Sequence, residues 1–209
     1  VRYTSDDNNS NEAQQKPLWE LGVGLFYAIA PDYPGANHSS YYSIPFPTFL
    51  YRGEFVRADE NGGMRGRFIE KVNYEVNFSF GGALSSKSEF NPTRAGMPDL
   101  DTMIELGPAY VYKLYRGENF QLKITLPLRI ALSTDFKGID DRGLVFNPII
   151  SYLLRDFFID GTFLFSAIST RFATQKLHRY FYQVDPQYVT PNRELYSTAG
   201  GYLSTSVSL

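Results

Sequence analysis

Two-residue alternation over long segments is the feature that most constrains the fold of this chain. In Phe120 to Leu132 (FQLKITLPLRIAL) every second residue is Phe, Leu or Ile, and the residues between include Lys123 and Arg129. Successive side chains of a β-strand point to opposite faces, so the segment predicts a strand with one apolar and one polar face. The same period recurs in four further segments: 73–80, 103–114, 157–166 and 201–209. Helical periodicity is scarce, and the chain is predicted to be all-β.

Turn signals between these segments predict about ten antiparallel strands. The predicted strands are 18–30, 41–51, 54–59, 63–70, 72–84, 101–115, 119–134, 142–154, 157–169 and 199–209. An even number of strands places both ends of the sheet's chain on one side, with the longer connections on the other, as in bacterial barrels. These connections are 31–40, 85–100, 136–141 and 171–198. The sequence stops at Leu209 and not on an aromatic residue, so about 12 strands are expected if closing strands are missing.

Two hairpins allow the register to be predicted. With a three-residue loop at 116–118, Leu114 faces Phe120 and Glu105 falls opposite Arg129. The apolar faces then agree and the two opposite charges meet on the polar face, as a sheet with one buried face requires. A two-residue loop at 155–156 likewise leads directly from one predicted strand into the next.

The character of the polar face decides which face meets the protein interior. A soluble barrel or sandwich turns its apolar face inward and carries many charges outside, with strands of about 5 to 6 residues. Here only 20% of residues are charged, and the polar faces are mostly Ser, Thr, Asn and Gly. A membrane barrel needs about 9 to 11 residues per strand and aromatic girdles at both interfaces. The pattern favours a transmembrane antiparallel up-and-down β-barrel over a soluble one, with the face of Phe120 toward lipid and Lys123 and Arg129 toward the lumen.

Composition excludes several function classes. The chain has no cysteine, so it has no disulfides or thiolate zinc sites. A net charge of -2 gives no reason to expect nucleic acid as a partner. Residues 1–17 are polar and predict a disordered periplasmic lead before a single barrel domain at 18–209. No signal-peptide profile or long apolar run is present, so an exported protein would be represented here in its mature form.

Charged residues on the polar faces form a predicted lumen network. Its members are Glu105, Arg129, Lys123, Glu75 and Asp160. Barrel interiors commonly hold carboxylates matched by Arg and Lys, so a structural network is favoured over general acid–base chemistry. The two histidines, His38 and His178, fall in predicted surface loops without metal-ligand spacing, and no nucleophile motif is present. We therefore predict no enzymatic activity, no metal and no cofactor.

A second group of residues is a candidate partner or ligand surface. Its members are Arg52, Arg57, Arg65, Arg67, Phe172, Arg179, Tyr180 and Tyr182. The four arginines surround a short predicted hairpin, where they bind lipopolysaccharide phosphate or simply line the lumen and rim. The segment 171–198 is rich in aromatics and basic residues, which is typical both of a binding surface and of a loop that plugs the lumen. Both alternatives are kept.

Several motifs resemble one family. They are Ala30-Pro31-Asp32-Tyr33-Pro34-Gly35, Pro45-Phe46-Pro47, Tyr51-Arg52-Gly53-Glu54-Phe55, and Arg94-Ala95-Gly96-Met97-Pro98-Asp99-Leu100-Asp101 before Glu105-Leu106-Gly107-Pro108. Together they resemble the MipA/OmpV family of Gram-negative outer-membrane proteins over about 18–209. The Pro and Gly content of these blocks suits fixed turns at strand ends.

The resemblance implies three possible functions. The first is a scaffold that joins a murein lytic transglycosylase of the MltA type to a murein synthase in cell-wall remodelling. The second is a barrel that passes or binds small solutes or antibiotics, and the third is an adhesin that uses the long extracellular loops. The resemblance also implies the bacterial outer membrane as location, with its lipid and lipopolysaccharide as partners. A fold by itself does not determine function, so the choice among the three depends on the family resemblance. The scaffold is the expectation that we prefer on that basis.

Overall fold

The structure is a computed structural model that describes residues 19–52, 56–59 and 63–209. Within these ranges the chain forms eleven β-strands: β1 (Trp19–Pro31), β2 (Ser39–Arg52), β3 (Val56–Asp59), β4 (Gly63–Glu70), β5 (Tyr74–Ala83), β6 (Thr102–Arg116), β7 (Phe120–Thr134), β8 (Ile139–Phe146), β9 (Ile149–Arg155), β10 (Phe163–Ala173) and β11 (Gly201–Ser208). One α-helix, α1 (Gln175–Tyr182), lies between β10 and β11. The lead predicted at 1–17 lies outside the described residues.

The strands form one up-and-down antiparallel sheet in which chain neighbours are sheet neighbours. β8 and β9 are two parts of one interrupted strand, since both pair with β7 on one side and with β10 on the other. The interruption falls at Asn147-Pro148, where proline lacks the N–H that a continuous ladder needs. The prediction of an all-β chain with about ten strands is confirmed.

The apolar faces of the strands point outward. Ile104 on β6 and Leu128 on β7 are each 47% exposed, whereas Glu105 is 1% and Arg129 is 9% exposed. Small and polar side chains fill the inside of the sheet, which is the reverse of a soluble barrel. The predicted orientation is therefore confirmed, with the face of Phe120 outside and that of Arg129 inside.

The sheet curls around an interior space. A single cavity is lined by Pro31 at the end of β1 and by Ser204 and Ser206 of β11, which are the two ends of the strand order. Its remaining walls come from β2, β5, β6 and β10, from the loop residues 32–35 and 84, and from Phe181. Within the described ranges no ladder pairs β1 with β11. The lumen is the space enclosed by this curl.

The register of the β6–β7 hairpin differs from the predicted one by two residues. Tyr112 pairs with Ile124, and Glu105 pairs with Ala131, not with Arg129. Between Lys113 and Tyr115 a bulge changes the shift to three residues, and Tyr115 pairs with Leu122. Because side chains alternate with a period of two, the even shift keeps the residues from Thr102 to Lys113 on their predicted faces, whereas Tyr115 beyond the bulge moves to the outer face.

The turn between β9 and β10 is longer than predicted. Arg155 pairs with Phe163, so residues 156–162 form a turn and not the start of a strand. The Asp156 carboxylate accepts a hydrogen bond from the Gly161 N–H (2.8 Å), and the Thr162 hydroxyl donates to the Ile159 carbonyl (2.6 Å). Asp160 is exposed in this turn, so its predicted place in the lumen network is wrong.

The long connections gather at one end of the sheet, as predicted. We call the segments 32–38, 84–101 and 174–200 the cap, and the segments 71–73, 117–119 and 156–162 at the opposite end the turn end. Helix α1 lies inside the cap and inserts Leu177 and Phe181 into the main buried apolar cluster. The strand and loop members of that cluster are Leu100, Met103, Ala131, Val145, Ala173 and Leu203. No helix in the described part of the chain is long and apolar enough to cross a membrane.

Candidate functional site in the lumen and the cap

Glu105 is the centre of a buried charge cluster in the lumen. Its Oε2 lies 3.3 Å from Nη1 of Arg129, and its Oε1 accepts a short hydrogen bond from Nη2 of Arg171. Nε of Arg129 donates to the Ser79 hydroxyl at 2.8 Å. A carboxylate this deeply buried is stable only because both partners and their hydrogen bonds replace water.

The strands bring this cluster together near the cap. Glu105 on β6 and Arg129 on β7 point inward on neighbouring strands, and Arg171 reaches them from β10. Gly81 on β5 leaves the space that they occupy, because a Cβ there would lie 2.8 Å from Nη1 of Arg129 and 2.9 Å from Oε2 of Glu105. Arg171 was not among the predicted lumen residues, because its segment was assigned to a loop.

The other predicted lumen residues form a second group nearer the turn end. Glu75 lies 3.4 Å from Nζ of Lys113 and accepts a hydrogen bond from the Asn77 amide at 2.8 Å. Lys123 is half-buried and pairs in register with Lys113. The predicted single network is therefore divided into two groups. Glu105 and Arg129 lie near the cap, and Glu75 and Lys123 lie nearer the turn end.

Asp32 in the first motif block ties two cap segments together. Its carboxylate accepts hydrogen bonds from the Ser40 hydroxyl (2.6 Å), from the Asn91 amide (2.6 Å) and from Nδ1 of His38 (2.8 Å). Burial alone would raise the pKa of Asp32, but these hydrogen bonds outweigh it and hold the pKa below its ordinary value. Asp32 therefore remains a charged acceptor that fixes the 32–38 segment to the 84–101 segment.

The Ala30–Gly35 block, the Arg94–Asp101 block and helix α1 meet around Tyr182. Its hydroxyl donates to the Pro34 carbonyl at 2.7 Å, and its ring packs edge-on against Tyr33 with centroids 5.9 Å apart. Arg94 lies over the Tyr33 ring and donates from Nη1 to the Phe181 carbonyl at 2.7 Å. Burial raises the pKa of Tyr182 to about 12, so its hydroxyl stays protonated and can donate.

The Arg94–Asp101 motif block is also fixed by hydrogen bonds. Asp99 accepts hydrogen bonds from Nζ of Lys87 (2.7 Å) and from the Ser88 N–H (2.8 Å), and these contacts lower its pKa. The Asp101 N–H donates to the Tyr180 hydroxyl at 2.6 Å, and the guanidinium of Arg142 lies 4.1 Å from the Tyr180 ring centroid. The blocks are structural clamps of the cap.

The residues of the predicted partner surface have three different environments. Tyr180 and Tyr182 are half-buried contacts of the cap, whereas Arg179 and Phe172 are exposed. The backbones of Arg52, Arg57, Arg65 and Arg67 lie on β2 to β4, with Arg57 paired to both Arg52 and Arg65. Their side chains lie outside the described part of the structure. The sequence left two alternatives for 171–198, a binding surface and a plug of the lumen. The burial of α1 against the inner face of the sheet favours the plug.

His178 corrects a further prediction. The sequence placed it in a surface loop, but it is 8% exposed on α1, with Nε2 3.2 Å from the Gly201 carbonyl oxygen. Its ring lies 5.7 Å from the ring of Tyr182, one turn further along α1, and these contacts with α1 and the start of β11 bury it. Among the described residues no group of three His, Cys, Asp or Glu side chains is placed to hold a metal ion.

An up-and-down antiparallel sheet with an apolar outer face and a charged interior is the arrangement of the β-barrel class. A family model described as MltA-interacting protein MipA matches residues 21–209. The chain therefore belongs to the MipA family, as its motifs suggested. Neither the comparison with curated proteins nor that with solved structures finds a match.

Proposed function

We propose that the protein is a non-enzymatic outer-membrane scaffold that binds a murein lytic transglycosylase of the MltA type and links it to a murein synthase. The observation that carries the proposal is the family match across 21–209, because the family description names an interaction with MltA. Contact with two enzymes needs an accessible surface and no reaction centre. The clamps of the cap and the paired charges of the lumen serve structural roles in this proposal.

The exposed apolar face supports the membrane part of the proposal. Outward residues such as Ile130 (47% exposed) and Ile168 (49% exposed) would be unfavourable in water over so large an area. In lipid the same residues are favourable, and the ladders between β1 and β11 pair the backbone polar groups of the inner strands. Outer-membrane lipid and lipopolysaccharide are therefore proposed partners.

The turn end is the proposed contact surface for the transglycosylase. Bacterial barrels place their short turns in the periplasm, where murein is built and degraded. The 156–162 turn presents Phe158, 90% exposed, and Ile159, 69% exposed, on a backbone fixed by its own hydrogen bonds. An exposed aromatic and aliphatic pair on a rigid turn has the composition of a binding hot spot.

The obstructed lumen supports a scaffold more than a conducting channel. Glu105, Arg129 and Arg171 occupy the lumen near the cap, and Phe181 enters it from α1. The cap segments are hydrogen-bonded to one another and to α1, so they are built as a plug rather than as free adhesive loops.

A crosslinking pull-down from intact envelopes tests the proposal, with mass spectrometry to identify co-purified proteins. Phe158→Asn is the informative variant, and Phe136→Asn is its matched control. Both phenylalanines are about nine-tenths exposed and both have φ 68°, but Phe136 lies in the 135–138 connection at the cap end. Asn tolerates this backbone conformation well, so neither change should unfold the protein.

We expect the wild type and Phe136→Asn to enrich a lytic transglycosylase and a murein synthase, and Phe158→Asn to lose the transglycosylase. Enrichment of neither enzyme by the wild type, in envelopes that contain both, would refute the scaffold. Equal enrichment by both variants would keep the scaffold and move the contact away from the 156–162 turn.

A further inference from the structure

A cavity of about 650 Å³ separates the charge cluster of the lumen from the cap. Its volume falls within the range of small-molecule sites, about 300 to 1,000 Å³. Tyr42, Met103 and Phe181 supply much of an apolar wall, while Arg171 and Ser204 are polar groups in the same wall. An apolar cavity with a few converging polar groups is the usual form of a small-molecule site.

Arg171 has unused hydrogen-bonding capacity in this wall. It contacts Glu105 through Nη2, but its Nε is buried and has no hydrogen-bond partner within the described residues. Arg129, the other cation of the cluster, does use its Nε, which donates to Ser79. One carboxylate thus faces two guanidinium groups. The Nε of Arg171 is shielded, but the Arg171 side chain is 23% exposed and lines the cavity, so a ligand would meet this guanidinium through its remaining Nη donors.

We propose that this cavity binds a small molecule that carries a carboxylate on a partly apolar body, and that Arg171 binds the carboxylate. Guanidinium groups bind carboxylates through paired N–H donors. Ser204 pairs with Arg171 in the β10–β11 register and lines the cavity beside it, so its hydroxyl is a second donor. The apolar body lies against Met103 and Phe181.

The remaining charges of the wall favour an anion over a cation. Asp32 and Glu105 are the carboxylates that line the cavity, and both already accept hydrogen bonds from neighbouring side chains. The side chain of Asp32 is 1% exposed, so it offers little surface to a ligand. Arg171 keeps unused N–H donors, whereas the carboxylates of Asp32 and Glu105 already accept hydrogen bonds. A ligand that carries a carboxylate is therefore favoured over one that carries a positive charge.

Binding of three probes with one carbon skeleton tests the proposal on the full chain in lipid nanodiscs. The probes are 4-phenylbutyrate, 4-phenylbutanol and 4-phenylbutylamine, which differ only in the charge of the head group. Saturation-transfer NMR titration gives their affinities. We expect the butyrate to bind at least about tenfold more tightly than the alcohol or the amine, a difference of about 1.4 kcal/mol.

Two variants locate the site. Arg171→Gln should weaken butyrate binding at least tenfold, while Arg155→Gln, a matched change at an exposed arginine outside the lumen, should leave it unchanged. Ala83→Phe places a ring in the cavity from β5 without removing a charged group, and it should weaken binding of all three probes. It decides the question if Arg171→Gln does not fold.

Three results would overturn the proposal. The first is that none of the probes binds the wild type, and the second is that the alcohol or the amine binds as tightly as the butyrate. The third is that Ala83→Phe leaves the affinity for the butyrate unchanged in a folded barrel. None of these results depends on the scaffold proposal, whose test lies at the opposite end of the molecule.

Discussion

The cap and the turn end of the barrel use aromatic residues in opposite ways. In the cap, Tyr182 and Phe181 are covered, and their polar atoms are tied to Pro34 and Arg94. At the turn end, Phe158 is almost fully exposed, and hydrogen bonds fix only the backbone of its turn. Burial with satisfied polar groups closes one end of the barrel, whereas the other end carries a hydrogen-bonded turn with exposed apolar side chains, where we propose that a partner binds.

Removal of a buried cap side chain should have the largest effect on stability. Leu177→Ala leaves a cavity in the cluster between α1 and the barrel, and the expected loss in free energy of unfolding is about 2–5 kcal/mol. Phe158→Ala, which removes an even larger side chain at the turn end, should cost much less because nothing covers it. Urea unfolding in lipid vesicles measures both. Equal losses would show that the two ends are packed alike.

Loss of a lumen carboxylate should lower the free energy of unfolding more in the Glu105 cluster beside the cap than in the Glu75 group near the turn end. Glu105→Gln leaves the buried Arg129 and the partly exposed Arg171 without a counter-charge, which costs about 3–5 kcal/mol. Glu75→Gln should cost less, because its side chain and that of Lys113 retain more exposure, 13% and 14%. The same unfolding measurement ranks the two variants, and a larger loss for Glu75→Gln would reverse the comparison.

Sequence reasoning predicted the strands and their faces well, because the two-residue period depends only on local residue choice. It placed Phe120 outside and Arg129 inside, and both are found there. The register was less predictable, because the bulge between Lys113 and Tyr115 has no signature in the alternation. The even shift over Thr102 to Lys113 preserved the faces there, so the two-residue error changed the strand partners but not the sides, and only beyond the bulge did Tyr115 change side.

The candidate site was predictable only in part. The 156–162 turn was assigned to a strand because Phe157, Ile159 and Asp160 imitate alternation, while the positive φ at Phe158 is not visible in the sequence. Helix α1 was missed because eight residues are too few to show a 3.6-residue period. Arg171 was missed with it, since its partner Glu105 is 66 positions away.

Protonation of Asp32 should loosen the cap without opening the barrel. The pKa of this carboxyl is depressed in the folded protein, so its contribution is present above its unfolded pKa of about 3.9 and is lost as pH falls through the folded pKa. Asp32→Asn removes this contribution. Unfolding curves should show a gap of about 1–3 kcal/mol between wild type and variant at pH 7, which closes at low pH. A gap that persists unchanged in acid would exclude Asp32 as the titrating clamp.

The smallest effects are expected at the two exposed phenylalanines with positive φ. Phe136→Asn should be neutral or stabilising by up to about 1 kcal/mol, because Asn adopts the left-handed region more easily than Phe. Phe158→Asn gains the same backbone relief but loses the contact with the Phe157 ring, whose centroid is 4.2 Å away, and such contacts are worth about 0.5–1.5 kcal/mol.

The two variants should therefore differ by about the value of one ring contact in urea unfolding. A larger cost for Phe158→Asn in native envelopes than in purified lipid vesicles would mean that an envelope component covers this side chain. The same cost in both settings would mean that the turn carries its exposed ring without a partner, and the contrast between the two ends would then be one of packing alone.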